Sequence, residues 1–266
     1  MIYRKELEAF LDSIYDYDNF DDHCENGLQV EGKEKINKIA FGVSFNLPFL
    51  ERAVEEKVDA VIVHHGIFQE GVFKLKGILK QKVKILLEKN ISLFGIHLPM
   101  DANASVGHSA LLLKAIEAEK LKPFDVGYIG ENAMEHSLER ILEVFHKILH
   151  GNEPVISPQE YKDTTFSLSI KHGFTILENG PTVPRKLAVI TGDSSGFYEK
   201  AVELGVDTFF GGNIKEKIPA FSLETSTNFV NLGHYNSEKP GVLTLKSIFD
   251  RSFDIETVFI EIPNPV

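Results

Sequence analysis

Positive charge is scarce in this chain and cysteine almost absent. Its 28 Lys and Arg residues are outnumbered by 39 Asp and Glu, giving a formal net charge of −11 over 266 residues. Contact with a nucleic-acid backbone depends on clustered Lys and Arg, so nucleic acid is an unexpected partner. A small anionic or nucleotide-like substrate is still compatible, because bound divalent cations reverse the local sign. Cys24 is the one cysteine, which excludes an intrachain disulfide and a thiolate-based zinc site. No run approaches the roughly 20 apolar residues of a membrane span. The opening MIYRKELEAFLDSIYDY mixes charge with apolar residues and lacks the apolar core of a signal peptide. The expected location is the cytoplasm, with no membrane partner. A Gly-x-Ser-x-Gly nucleophile elbow is also missing.

What is present suits a folded protein: 43% apolar and 25% charged residues, in a chain long enough for one large domain or two ordinary ones. Leu7, Phe10, Leu11 and Ile14 share one face of a helix expected over 5–15. Buried strands are expected at 38–43, 58–63 and 91–96, alternating with helices at 48–57, 72–89 and 107–117. That alternation predicts an α/β layer with a largely parallel sheet. Residues 122–184 break the pattern. They hold one strongly amphipathic helix (137–149), a Gly/Asn/Pro turn at 151–154 and short β-like runs, closing at Glu178-Asn179-Gly180-Pro181. Strand and helix then resume, with strands at 186–190, 207–210, 229–232 and 258–262 and helices at 196–204 and 243–249.

The two ends resemble each other. KIAFGVSFNLPFLERAVEEKVDAVIVHHG and KLAVITGDSSGFYEKAVELGVDTFFGGN align without a gap, every pair 148 positions apart. Identical pairs are Lys38/Lys186, Ala40/Ala188, Phe49/Phe197, Glu51/Glu199, Ala53/Ala201, Val54/Val202, Glu55/Glu203, Val58/Val206 and Asp59/Asp207. The expectation is an internal duplication: two related α/β lobes, 1–126 and 127–266, with the C-terminal segment packing back on the first.

Candidate chemistry gathers where strands end, the edge at which open α/β sheets bind ligands. His64-His65 close the run 58–63, and alternation along an extended chain would send the two rings to opposite sides. The alternative is a pair of histidines bonded to neighbouring carbonyls at a strand end. His97 and Asp101 follow the strand 91–96, with Pro99 expected to stiffen the segment and keep it from becoming a helix; Asp101 alone reads equally as a turn cap. His234 and Glu238 follow the strand 229–232, and Glu238 falls near a helix N-terminus, where a carboxylate is favoured in any case. Imidazole and carboxylate without thiolate suit Zn, Fe, Mn or Ni. Five such ligands exceed the three of a catalytic zinc and suit a pair of ions. Thr191-Gly192-Asp193-Ser194-Ser195-Gly196 opens a helix and could hold an anion on its amides. It has neither the lysine of a P-loop nor GxGxxG spacing, and a plain turn is the stronger reading. His23, His108, His136, His146, His150 and His172 read as surface or core residues.

His64-His65, His97-x-x-x-Asp101 and Gly233-His234-Tyr235-x-x-Glu238 together resemble the NIF-three-like dinuclear metal-centre family, whose members often carry the name GTP cyclohydrolase 1 type 2 homologue. Asn26-Gly27-Leu28-Gln29-Val30, Gly127-Tyr128-Ile129-Gly130 and the closing Phe259-Ile260-Glu261-Ile262-Pro263-Asn264-Pro265 extend the likeness along nearly the whole chain. The resemblance implies metal ligands at His64, His65, Asp101, His234 and Glu238, in a cleft between two α/β lobes. It implies two divalent ions, a ring-shaped homohexamer, and His97 as a proton-transfer or supporting group; Glu238 and His97 are the catalytic candidates. Gly66 replaces the proline common after the two histidines, and Gly211-Gly212-Asn213-Ile214 replaces a Thr-Gly-Glu run. The expected activity is metal-dependent hydrolysis of a nucleotide-like or small anionic compound. The alternative is a metal carrier or a metal-stabilised interaction ring.

Overall fold

A computed structural model describes residues 1–69, 71–72, 74–151, 153, 159–161 and 166–265. The chain is a mixed α/β protein of two compact units. One comprises Met1–Asn103 and Gly241–Pro263, the other chiefly Ala104–Pro240. The division falls after Asn103, ahead of the sequence boundary at 126, because helix His108–Ala115 buries Ala110, Leu112 and Leu113 in the same cluster as Leu187 and Val189. No helix among the described residues is long and apolar enough to cross a membrane.

The first unit is built on a five-stranded sheet in the order Glu256–Phe259, Lys38–Ser44, Ala60–His65, Ser92–Gly95, Gly27–Val30. The first four strands are parallel and Gly27–Val30 is antiparallel. Both faces are covered, so the strands read as unbroken apolar runs. On one face Ala40, Val61, Val63 and Leu93 meet Phe49, Leu50 and Ala53 of helix Leu47–Glu55 and Leu86 of helix Gly77–Lys89. Asn46 starts the first of these helices, its Oδ1 accepting the Phe49 amide at 2.9 Å. The helix expected from residue 72 begins only at Gly77, whose φ of +54° is incompatible with a helix arriving from the N-terminal side; residue 73 lies outside the described residues.

The second unit carries an eight-stranded sheet: Glu119–Phe124, Gly127–Glu131, Lys186–Ile190, Thr208–Gly211, Asn228–Asn231, Phe174–Glu178, Leu168–Lys171, Gln159–Tyr161. Only Lys186–Ile190, Thr208–Gly211 and Asn228–Asn231 are mutually parallel; the strands around them are antiparallel. The largely parallel sheet expected of the first half is thus found in the first unit, and the second unit has a mixed sheet. The irregular stretch 122–184 supplies strands added to both edges of the parallel trio. Its amphipathic helix, Leu138–His150, presses Ile141, Leu142 and Phe145 onto Ile176, Phe210 and Val230, and Ser137 Oγ caps it by accepting the Arg140 amide. The turn expected at 151–154 falls partly outside the described residues.

One device recurs inside each unit. Asp59 Oδ2 accepts the amides of Asn37 (2.8 Å) and Lys38 (3.4 Å), tying the start of one strand to the start of the next. Asp207 Oδ2 accepts those of Arg185 (2.8 Å) and Lys186 (3.3 Å) in the same way.

Candidate metal centre

In the first unit the strand Ala60–His65 carries both histidines at its C-terminal end. The rings do not diverge as strict alternation would have them. Their centroids are 4.4 Å apart, and each lies little more than 5 Å from His97 (5.1 and 5.4 Å). A ring nitrogen of each of the three falls within 4.8 Å of the others. His64 is fully buried. Its Nδ1 lies 2.9 Å from the carbonyl of Ile96, which can only accept, so Nδ1 carries the proton. Nε2 then presents its lone pair to Asp101 Oδ2, 3.5 Å away. Two electron-rich atoms held face to face in a buried site require a proton or a metal cation between them. By that test the donor set fits a divalent ion.

Segment 98–101 corrects the expectation for Pro99. Leu98–Asp101 is a short helix with the proline in its first turn, where the missing N–H costs nothing. Asp101 is buried at its end.

Behind His97 stands a residue the sequence reading missed. The Asp22 carboxylate, 1% exposed, accepts from the amides of Cys24 and Leu98, from Asn26 Nδ2 and from His97 Nδ1, each at 2.9 Å. Burial pushes its pKa up, but these hydrogen bonds and the His97 charge outweigh it and leave the carboxyl well below the usual range. His97 is shifted down, chiefly by burial, with His64 and His23 adding to the shift and Asp22 opposing it. Its Nδ1–H is thus committed to Asp22, and Nε2 is the basic atom. The Cys24 thiol is pushed up to about 11 by burial and by Asp22 and Glu25, so it stays protonated near neutrality and is a poor ligand.

The Asn26-Gly27-Leu28-Gln29-Val30 segment holds the two histidine loops. Asn26 Oδ1 accepts the His97 amide at 2.7 Å, and Gln29 Oε1 accepts the Ile67 amide at 2.8 Å. A Cβ on Gly66 would run into the Gln29 amide, so a larger residue after His65 would have to displace that side chain from its bond to the Ile67 amide.

In the second unit His234 follows Gly233, which takes φ +81°, and opens the short helix His234–Ser237. Its Nε2 lies 3.2 Å from Oε1 of Glu238, whose side chain is 3% exposed. Glu238 immediately precedes helix Lys239–Ser252, an end of a helix that suits an acidic side chain. Gly192, at φ +67°, packs against this pair: a Cβ there would collide with Glu238 Oε1 and sit 3.4 Å from His234 Nε2. The Thr191–Gly196 turn is not an anion cradle. Its Gly192 amide donates to Ser237 Oγ, and the Ser194 and Ser195 amides donate to Asn213 Oδ1. Asn213 stands in the segment that departs from the Thr-Gly-Glu pattern. His108 is wholly buried at the start of helix His108–Ala115.

Fold and donor groups together define a mixed α/β protein with clustered His, Asp and Glu side chains able to bind metal ions. The pattern of the Duf34/NIF3 (NGG1p interacting factor 3) family matches residues 2–265, and the chain belongs to that family. It is 30% identical over 266 residues to the GTP cyclohydrolase 1 type 2 homolog of Haemophilus influenzae, covering 98% of each chain. To the protein of that name from Archaeoglobus fulgidus it is 31% identical over 261 residues, covering 97% of each. Among solved structures it resembles the protein ybgI, of unknown function, with a TM-score of 0.83 at 29% identity over the full length of both chains. A protein from Thermus thermophilus gives 0.84 at 25%, again over both full lengths.

Proposed function

We propose that this chain is a metal-dependent hydrolase in which His64, His65, Asp101, His234 and Glu238 hold two divalent ions, drawn from Zn, Fe, Mn or Ni. The observation that carries this reading is the buried His64 Nε2 facing the Asp101 carboxylate at 3.5 Å with two further imidazoles alongside. When bound, such ions supply Lewis acidity and bring a coordinated water's pKa toward neutrality. The protein's own groups do the rest. Asp22 fixes the His97 ring so that Nε2 accepts a proton, and the lowered His97 pKa keeps that atom unprotonated near neutral pH. Glu238 is oriented by His234, with Gly192 close behind. The substrate is a nucleotide-like or small anionic compound. The name carried by the curated relatives suggests GTP.

The matching Asp59 and Asp207 devices, at positions paired in the sequence repeat, support an origin by duplication. A homohexameric ring and a cytoplasmic location complete the reading. The test is metal analysis of protein purified without added metal, followed by incubation with GTP and a phosphoester panel beside Glu238→Ala. Metal content near two per chain, with turnover lost in the variant, is the expected result. Turnover that survives Glu238→Ala removes this site as its source, and tight metal binding without turnover makes the protein a carrier. Native mass spectrometry reads the ring directly.

A further inference from the structure

Helix Leu138–His150 carries, near its C-terminal end, a histidine that the proposed metal centre does not use. His146 is buried, and both of its ring nitrogens meet backbone oxygens. Nδ1 lies 2.8 Å from the carbonyl of His172, in the turn between strands Leu168–Lys171 and Phe174–Glu178. Nε2 lies 3.1 Å from the carbonyl of Glu153, just past the helix. A carbonyl oxygen can only accept, so each contact requires an N–H from the ring. A neutral imidazole has one; the imidazolium has two and satisfies both acceptors. In the neutral form one nitrogen lone pair would confront a carbonyl oxygen with no hydrogen between them.

The charged neighbours are otherwise engaged. His150, one turn further along, stacks on the ring at 5.1 Å between centroids, and its Nδ1 stands 3.8 Å from the Glu153 carboxylate. His172 Nε2 meets Glu139 at 2.5 Å. Glu143, three residues back on the helix, pairs with Arg140, and Lys171 beside His172 pairs with Glu178. Lys147 lies in the helix's last turn. Helix His234–Ser237 packs on the same helix and brings His234, which faces Glu238. Among the described residues no carboxylate is bonded to His146, so two carbonyls and the helix end, which favours a cation, hold its charge. We infer that His146 is carried as an imidazolium and acts as a proton-dependent clasp joining the helix end, the turn at 171–174 and Glu153. Loss of the proton leaves one N–H, which stays on the shorter bond to His172, and the Glu153 carbonyl is released. The closed clasp holds a proton that the open one gives up more readily, so it is complete at low pH and lost as pH rises.

The test is a pH titration of the isotope-labelled full-length protein from about pH 5 to about pH 9, followed by NMR at the His146 ring nitrogens and at the carbonyl carbons of Glu153 and His172. Both nitrogens should be protonated at the acid end and pass in one step to the Nδ1–H tautomer. The Glu153 carbonyl should shift in that same step. The Glu153 amide, which donates to the His150 carbonyl at 3.2 Å, should lose about tenfold in protection from exchange, the equivalent of one charge-assisted hydrogen bond. His150→Gln and His172→Asn keep both carbonyls and should leave the Glu153 step in place, whereas His146→Gln should abolish it. Where His146→Gln fails to fold, the ring titration of the unaltered protein decides alone. A ring that keeps one charge state throughout, a neutral form protonated on Nε2, a His146 step that leaves the Glu153 carbonyl unmoved, or a Glu153 step that survives His146→Gln would each overturn the proposal.

Discussion

Asp22→Asn isolates the support behind His97. The substitution keeps the shape of the side chain and exchanges one acceptor oxygen for an NH2 group. In the native protein Oδ1 accepts from the Cys24 amide and His97 Nδ1, and Oδ2 from Asn26 Nδ2 and the Leu98 amide. Whichever way the amide turns, its oxygen serves one pair of donors and its NH2 confronts the other. Two N–H groups then lose their acceptor in a nearly closed site, at roughly 1–3 kcal/mol each. The expected loss of stability is about 2–6 kcal/mol, read as a lower urea midpoint at unchanged m-value. The second readout is specific to His97. Long-range 1H–15N spectra should show a Nδ1–H tautomer in the native protein and a mixture, or the other tautomer, in the variant. If the hydrolase reading holds, turnover should also fall, because His97 would no longer be held with Nε2 as its basic atom. A variant within about 0.5 kcal/mol of the native protein, with the His97 tautomer unmoved, would refute the reasoning.

Gly192→Ala should cost about 2–4 kcal/mol, from the positive φ and from displacement of buried Glu238; a crystal structure with Glu238 undisturbed would count against the packing argument. Phe145→Ala, at the centre of the second unit's core, should lower stability by about 3–5 kcal/mol in a denaturant melt. Asp59 predicts a pH dependence. Burial raises its pKa, but the Lys33 contact and the amides of Asn37 and Lys38 outweigh that and hold it below its ordinary value. A folded-state pKa below the unfolded one gives stability that is complete above the unfolded pKa and fades as pH falls through the folded pKa. The gap in stability between native protein and Asp59→Asn should therefore be constant down to about pH 5 and narrow progressively below it. A gap that widens on acidification would show the sign to be wrong.

The sequence by itself determined the α/β character, the strands of the parallel sheet regions and the histidines at their ends. Strands covered on both faces must be apolar throughout, and that requirement is written in consecutive residues such as Val61, Ile62 and Val63, all buried. The helix 138–150 was equally legible, because its buried side recurs at the helical period. Other features belonged to tertiary structure alone. Asp22 meets His97 across a separation of 75 residues, and a hydrogen bond between distant positions leaves no periodic trace. Asn26 and Gln29 could be noticed as a motif, but their task of fixing the His97 and Ile67 amides needs coordinates. The convergence of the His64 and His65 rings, 4.4 Å apart at the strand's end, is a matter of side-chain geometry that strand alternation does not record. The added antiparallel strands of the second sheet likewise depend on what packs against what, and that is decided only when remote segments meet.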